Sequence, residues 1–374
     1  MASGSIIKNV KSVIVPNTGN LKGIEASIAA GIIAGDPGKE LEVISCVSEE
    51  EIESIKEYLE YTPMKIKCLE GDSIFDIVIT LFSEEDYAKI RISDYHTNIT
   101  YMEKNGKVLL DKSDASEDTK ELLDYSLLTM EDIWDYARTC NLEDVKESIE
   151  KQIECNMAIA EEGIKNPYGA NIGKVMLDRY GGGIENRVSA MAAAGSDARM
   201  HGCEMPVVIN SGSGNQGITC SVPVIEFARG NNIEHTKLLR ALVLSNLLAI
   251  HQKSQIGTLS AFCGVVCAGA AAGAAISYLQ GGGFKEVSHT LVNTLAMLSG
   301  MVCDGAKPSC AAKIAFSVNA GLLGHDMYAY GNQFYCGDGL VTKGADNTIS
   351  NIGRLGRQGM RETNNEIIRI MTGG

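Results

Sequence analysis

The stretch from Gly257 to Lys313 restricts the fold more than any other. It holds Cys263 and Cys267 in A-F-C-G-V-V-C, then Cys303 and Cys310 in M-V-C-D-G-A-K-P-S-C. Between the two pairs lie A-G-A-A-A-G-A-A-I-S-Y-L, a Gly-Gly-Gly break at 281–283 and a second apolar run from His289 to Met301. Two helices built from small residues and joined by a glycine hinge let their backbones approach closely, so this segment belongs at the crowded centre of a helical domain. Thiolates brought together there are suitable ligands for an iron–sulfur cluster. Free cysteine is also among the most buried residue types, so plain packing is the competing reading.

The 374 residues suffice for one large or two ordinary domains. Hydrophobic residues make up 45% and charged residues 21%, the balance of a folded chain and not a disordered one. The net charge of −14 is uneven: residues 1–150 carry −16 and residues 151–374 carry +2. This asymmetry predicts two units and argues against nucleic acid as a partner. The uncharged run 258–279 is Ala, Gly, Cys and Ser with little Leu or Ile, a poor membrane segment, so a buried helix and no membrane partner are expected. No secretory leader is evident. Eleven cysteines, an odd number, read as reduced thiols in a cytoplasmic protein.

The predicted class is α+β, with a small mixed module beside a large Gly/Ala-rich helical domain. Residues 1–40 (an opening strand over Val10–Pro16, the turn P-N-T-G-N-L-K-G and a helix from Ile24) are assigned to the helical domain. Residues 41–115 form the α+β module: strands at L-E-V-I-S-C-V, M-K-I-K-C-L-E, F-D-I-V-I-T-L-F, A-K-I-R-I-S-D and T-N-I-T-Y-M-E, a helix over Glu49–Tyr61, and a hairpin turn at Asn105-Gly106 before K-V-L-L. Residues 116–374 are helical, opening with acidic helices from Ser116 to Glu162.

The densest polar loop is I-N-S-G-S-G-N-Q-G-I. Ser211, Ser213, Asn215 and Gln216 there offer hydroxyls and amides at a helix start, a composition able to hold a carboxylate or to serve as a simple turn. It has no nucleotide-loop spacing. Asp197 and Arg199 in G-S-D-A-R-M form either an ion pair or a substrate clamp. His96, with Asn98 beside it on a predicted strand edge, is a candidate acid–base group. Lys307 lies close in sequence to Cys303 as a candidate cation for the thiolates. The histidines lack zinc-enzyme spacing.

On D-A-R-M, S-G-S-G-N-Q-G-I, the Cys263 helix, G-M-V-C-D-G-A-K-P-S-C-A-A-K-I and N-I-G-R-L-G-R-Q-G-M, the chain resembles the L-cysteine desulfidase family, relatives of the iron–sulfur L-serine dehydratase alpha chain. The resemblance implies a homodimer catalysing β-elimination at a 4Fe–4S cluster, without pyridoxal phosphate, to give pyruvate and ammonia from a small amino acid. It places Cys263 and Cys303 at two ligand positions. The third, in a G-C-T-E-P motif, falls on Asn20, with Lys22 at the motif's glutamate, so both are expected at the substrate. Either another thiol replaces the ligand, Cys310 or Cys267, with Cys310 taken as the candidate, or the cluster is altered or absent. The alternative is a cluster-free homologue that binds a small amino or carboxylic acid.

Overall fold

The computed structural model describes residues 1–69, 73–94, 96–112, 124–257 and 259–373. It divides into two compact units. A sheet unit comprises 1–123, 304–306 and 365–374, and a helical unit comprises 124–303 and 307–364.

The sheet unit holds six strands, β1 (Ala2–Ser3), β2 (Cys68–Leu69), β3 (Asp76–Ser83), β4 (Asp86–Ser93), β5 (Ile99–Lys104) and β6 (Lys107–Asp111), in the order β2-β1-β3-β4-β5-β6. β1 and β2 are parallel and the other pairs antiparallel. The β5–β6 turn is made by Asn105 and Gly106, both at positive φ (48° and 77°), the backbone a two-residue hairpin of this twist demands. Helices α1 (Gly4–Val10), α2 (Gly23–Ile33) and α3 (Glu49–Tyr61) belong to the same unit. Ser48 and Glu51 close a capping box at the start of α3, and Ile55 on its inner face is fully buried with Val15, Ala26, Ala29 and Ala30.

Three expectations for this unit differ from what is found. Val10–Pro16 is not a strand: the helix α1 ends at Val10, and Ile14 makes an isolated bridge to Lys22. Residues 41–47 form helical turn and bend rather than a strand, because Pro37 and Gly38 start a 3-10 turn that carries through Glu42. Residues 1–40, expected with the helical domain, cluster with the sheet, which β1 enters by pairing with β2 and β3. The expected helix start at Ser116 lies outside the described residues.

The helical unit contains α4 (Met130–Thr139), α5 (Lys146–Lys165), α6 (Ile172–Tyr180), α7 (Ile184–Met200), α8 (Gly214–Gly230), α9 (His235–Ile256), α10 (Gly264–Leu279), α11 (Phe284–Leu298), α12 (Ser309–Ala329) and α13 (Ala345–Arg354). A further helix, α14, runs Arg361–Thr372. The centre is α10, packed on α8, α9, α11 and α12, with every residue from Val265 to Ser277 buried. Its small side chains permit this. A Cβ on Gly273 would lie 2.6 Å from the Cα of Gly321 on α12, so the two backbones touch. Close packing of this kind substitutes many short dispersion contacts for large side chains. Among the described residues, no helix is long and apolar enough to cross a membrane.

Candidate functional site

Three helices of the helical unit start near one another, and the chain's local sequence explains each start. Before α8, Asn210 and Ser213 exchange backbone hydrogen bonds across Ser211 and Gly212, which sit at φ 49° and 77°. This tight turn delivers Ser213 as N-cap, its Oγ accepting from the Gln216 amide at 3.4 Å. Asn156 fixes the preceding segment by bonding both the N–H and the carbonyl of Val208. Before α10, residues 261–263 pair with 301–303: the Cys263 amide donates to Met301 O (3.1 Å), the Cys303 amide to Ala261 O (2.6 Å), and Phe262 bridges Val302. Before α12, Pro308 occupies the cap position and the Cys310 amide donates to Lys307 O.

These starts share contacts. The Gln216 carboxamide lies against Gly264, where a Cβ would meet its Cδ at 2.6 Å. Gly214 lies against the guanidinium of Arg199, which also donates from Nη1 to Asn215 Oδ1 (3.3 Å). The charge of Arg199 also acts on Cys310, at the start of α12. The Cys263 and Cys303 thiols share a hydrogen bond, and Cys310 also acts on Cys263. Helix N-termini point unpaired amides and positive dipole ends into the space they share.

Two cations add to this field. Arg199 keeps part of its surface open, yet burial of its guanidinium lowers its pKa. Lys253, in the last turn of α9, is 7% exposed, and its side chain forms no hydrogen bond or ion pair among the described residues. Burial lowers its pKa, opposed by Cys267, Cys303 and Cys263. Gln216 is 6% exposed and its Oε1 is a buried acceptor without a partner. Cys263 is pushed well up by its bond to Cys303 and by burial, so it remains a thiol. Cys267, one turn along α10, is fully buried and pushed up to about 12, so it packs as an apolar residue.

Several residues expected at a site have other partners. Asp197 makes no ion pair with Arg199. Its Oδ2 accepts from the Gly173 amide (3.3 Å) at the start of α6, and burial raises its pKa to about 6. Ser211 donates to Asn210 Oδ1 within the turn, and Ser213 serves the cap. In the sheet unit, His96 is exposed in the β4–β5 turn with its ring tilted against Phe75, centroids 4.7 Å apart. Asn98 donates to Ser93 O in the same turn (2.9 Å). Asn20 is an exposed turn residue at φ 71°, and Lys22 is the exposed residue before α2. Lys307 is half-buried ahead of α12. Lys253 carried no signal in sequence, since a lysine in the last turn of a helix normally faces water and the helix dipole.

The donor set can be tested against the 4Fe–4S cluster that the resemblance implies. The Cys263 and Cys303 thiols are hydrogen-bonded to each other, and among the described residues no three His, Cys, Asp or Glu side chains, Cys310 included, converge within ligating range. A cubane takes three or four thiolates spread around its faces, and this donor set does not supply them. No chemical step is therefore derived through a cluster.

Comparison with known proteins adds two findings. The serine dehydratase alpha chain family matches residues 38–369. The chain is also similar to proteins named UPF0597: 56% identical to one from Desulfitobacterium hafniense, 47% to one from Lachnoclostridium phytofermentans and 45% to one from Treponema denticola. Each similarity covers 99% of this chain, and 86%, 88% and 87% of the respective relative.

Proposed function

Because the chain belongs to the serine dehydratase alpha chain family, we propose that it is a serine dehydratase-like lyase removing a β-substituent from a small amino or hydroxy acid. One observation carries the reading: at the start of α8 the Arg199 guanidinium bonds Asn215 Oδ1, and the next residue, Gln216, carries a buried Oε1 acceptor without a partner. That pair complements an acid whose carboxylate needs a cation and whose neighbouring amino or hydroxyl group needs an acceptor. Arg199, steadied by Asn215, holds the carboxylate, and the amides at the start of α8 add to the field there. Neutralising the carboxylate makes the adjacent C–H bond more acidic. Cys263, which stays protonated, gives its proton to the departing group as the bond to Cβ breaks. The thiolate so formed takes the α-proton as the carbon–carbon double bond forms, which restores the thiol. Lys253 stabilises this transient thiolate, its charge acting on both sulfurs. Loss of water from L-serine or of hydrogen sulfide from L-cysteine leaves an aminoacrylate, which hydrolyses to pyruvate and ammonia.

The test is anaerobic incubation of purified protein with L-serine, L-cysteine and their hydroxy-acid analogues, reading 2-oxo acid, ammonia and sulfide. Stoichiometric product from one of these, with kcat/KM lowered about a hundredfold or more in Arg199→Met, is the expected outcome. Failure to form a 2-oxo acid from any of them rejects the lyase. That no three ligating side chains converge among the described residues favours one second reading, a homologue that binds the same class of acid at Arg199 and Gln216 without turnover. Saturable binding with no product identifies it.

A further inference from the structure

The turn between α2 and α3 brings an amine and a thiol into contact. Asp36 closes it, its carboxylate accepting from the Gly38 amide at 2.9 Å and its own amide donating to Val43 O at 2.8 Å. Ile44 and Val47 pack inward against the cluster of Val15, Ala26 and Ile55, and Asn17 holds the Ile44 carbonyl at 2.9 Å. The two residues between them, Ser45 and Cys46, are left exposed. Lys39, from the 3-10 turn, reaches over both: its Nζ lies 3.2 Å from Ser45 Oγ and 2.7 Å from Cys46 Sγ.

A separation of 2.7 Å is short for nitrogen and sulfur. Hydrogen bonds from N–H to oxygen already run at about 2.7–3.0 Å, and sulfur is the larger atom, so an N–H···S bond is longer. Two atoms bonded to one common neighbour lie about 2.5 Å apart, as the backbone N and C do about Cα. A bond to sulfur widens that span slightly, towards the separation found here. The hydrogen bond from Lys39, with a smaller one from Ser45, also lowers the pKa of Cys46, which favours the nucleophilic thiolate at an exposed position. Cys68, also exposed, has the Leu69 carbonyl at 3.6 Å in place of a cation.

We propose that Lys39 and Cys46 form a modification site at which hydrogen peroxide joins Nζ to Sγ through a single oxygen atom. In the first step the Cys46 thiolate attacks the peroxide, the O–O bond breaks, and sulfur keeps one oxygen as a sulfenic acid. The Lys39 ammonium gives a proton to the departing hydroxide, so water leaves and a free amine remains beside the sulfenic acid. In the second step a nitrogen–oxygen bond forms between them. The sulfenic acid and the amine each lose one hydrogen, and a second peroxide takes up both and is reduced to two waters. Sulfur and nitrogen are each oxidised by two electrons, one peroxide serving each. Excess thiol reverses both steps and releases the bridging oxygen as water. The bridge ties the turn after α2 to the segment that caps α3.

Peptide mapping of the full chain, purified reduced and then exposed to hydrogen peroxide, decides this. Trypsin cuts the reduced protein after Lys39 and Lys56, whereas a bridged lysine resists cleavage. The expected product is peptide 23–56, uncut after Lys39, heavier than its sequence by one oxygen and lighter by two hydrogens, and lost on adding excess thiol. Cys46→Ser and Lys39→Arg should each abolish it with the circular dichroism unchanged, and in Lys39→Arg the Cys46 sulfenic acid should run on to sulfinic acid. Normal cleavage after Lys39, with Cys46 either unmodified or oxidised only to sulfinic acid, overturns the proposal. A cross-linked peptide that lacks the extra oxygen also overturns it, because nitrogen and sulfur would then be bonded directly.

Discussion

Asp76 in the sheet unit and Lys253 in the helical unit are both ionisable groups withdrawn from water, and the two units treat them differently. Asp76 is 4% exposed and receives two bonds from Arg91, Nε to Oδ1 at 2.9 Å and Nη2 to Oδ2 at 2.6 Å. The pair ties β3 to β4 where the two strands are already in register, opposite Ser93 and Val78 respectively. Lys253 is almost as well buried, yet no carboxylate pairs with it among the described residues, and the groups acting on it are the cysteines Cys267, Cys303 and Cys263. One buried ionisable group is answered by an opposite charge, and the other only by thiols.

Mutations can break or sharpen this contrast. The largest expected effect is on the scaffold that holds the candidate site: Gly273→Val drives side-chain atoms into Gly321 and should cost about 3 kcal/mol, read as a lowered urea midpoint. Next comes Asp76→Ala, which strands Arg91. The loss should be about 2 kcal/mol, less than for a fully buried pair because the Arg91 side chain is 46% exposed. Lys253→Met should move the other way, raising stability by about 1–2 kcal/mol, since an apolar side chain of similar length replaces a buried amine that has no carboxylate partner among the described residues. If Lys253→Met destabilises as much as Asp76→Ala, the contrast between the units fails.

Asp197 gives a pH-dependent version. Burial raises its folded-state pKa from an ordinary 3.8 to about 6, so the folded protein holds this proton more tightly than the unfolded chain does. Its ionisation therefore opposes folding above pH 6, and the penalty is relieved as pH falls through 6 toward 3.8. Asp197→Asn, which keeps an acceptor for the Gly173 amide, should be more stable than the parent at neutral pH, the gap narrowing on acidification. A gap that widens on acidification contradicts the sign. The smallest effect belongs to Ser48→Ala at the capping box of α3, about 1 kcal/mol by thermal unfolding, with no change in ligand binding.

What was readable in sequence followed from local physics. Asn105-Gly106 announced a hairpin because few other pairs accept two positive φ angles. Glu49–Tyr61 announced a helix through its amphipathic pattern, and the small residues of 264–279 a crowded centre. Reading 41–47 as a strand failed because a short apolar run cannot report that Pro37-Gly38 has already begun a turn. At the site, Arg199, Asn215 and Gln216 stood out by composition; Arg199 and Asn215 share a hydrogen bond, and the Gln216 carboxamide lies against Gly264. Ser211 and Ser213 stood out equally, but their hydroxyls are used by the turn itself. Lys253 was invisible because its burial is produced by α10 packing against α9, a tertiary fact with no local trace. The hydrogen bond between the Cys263 and Cys303 thiols likewise depends on the pairing of 261–263 with 301–303, some forty positions apart in the chain.

The most direct measurement of the central claim is the affinity of a small hydroxy acid for the intact protein and for Arg199→Met, by isothermal titration at low salt. The account predicts saturable binding to the parent protein, weakened about thirtyfold or more in the variant, with the fold retained by circular dichroism. Equal affinity in the two proteins would contradict it, because the acid would then be bound somewhere other than the start of α8.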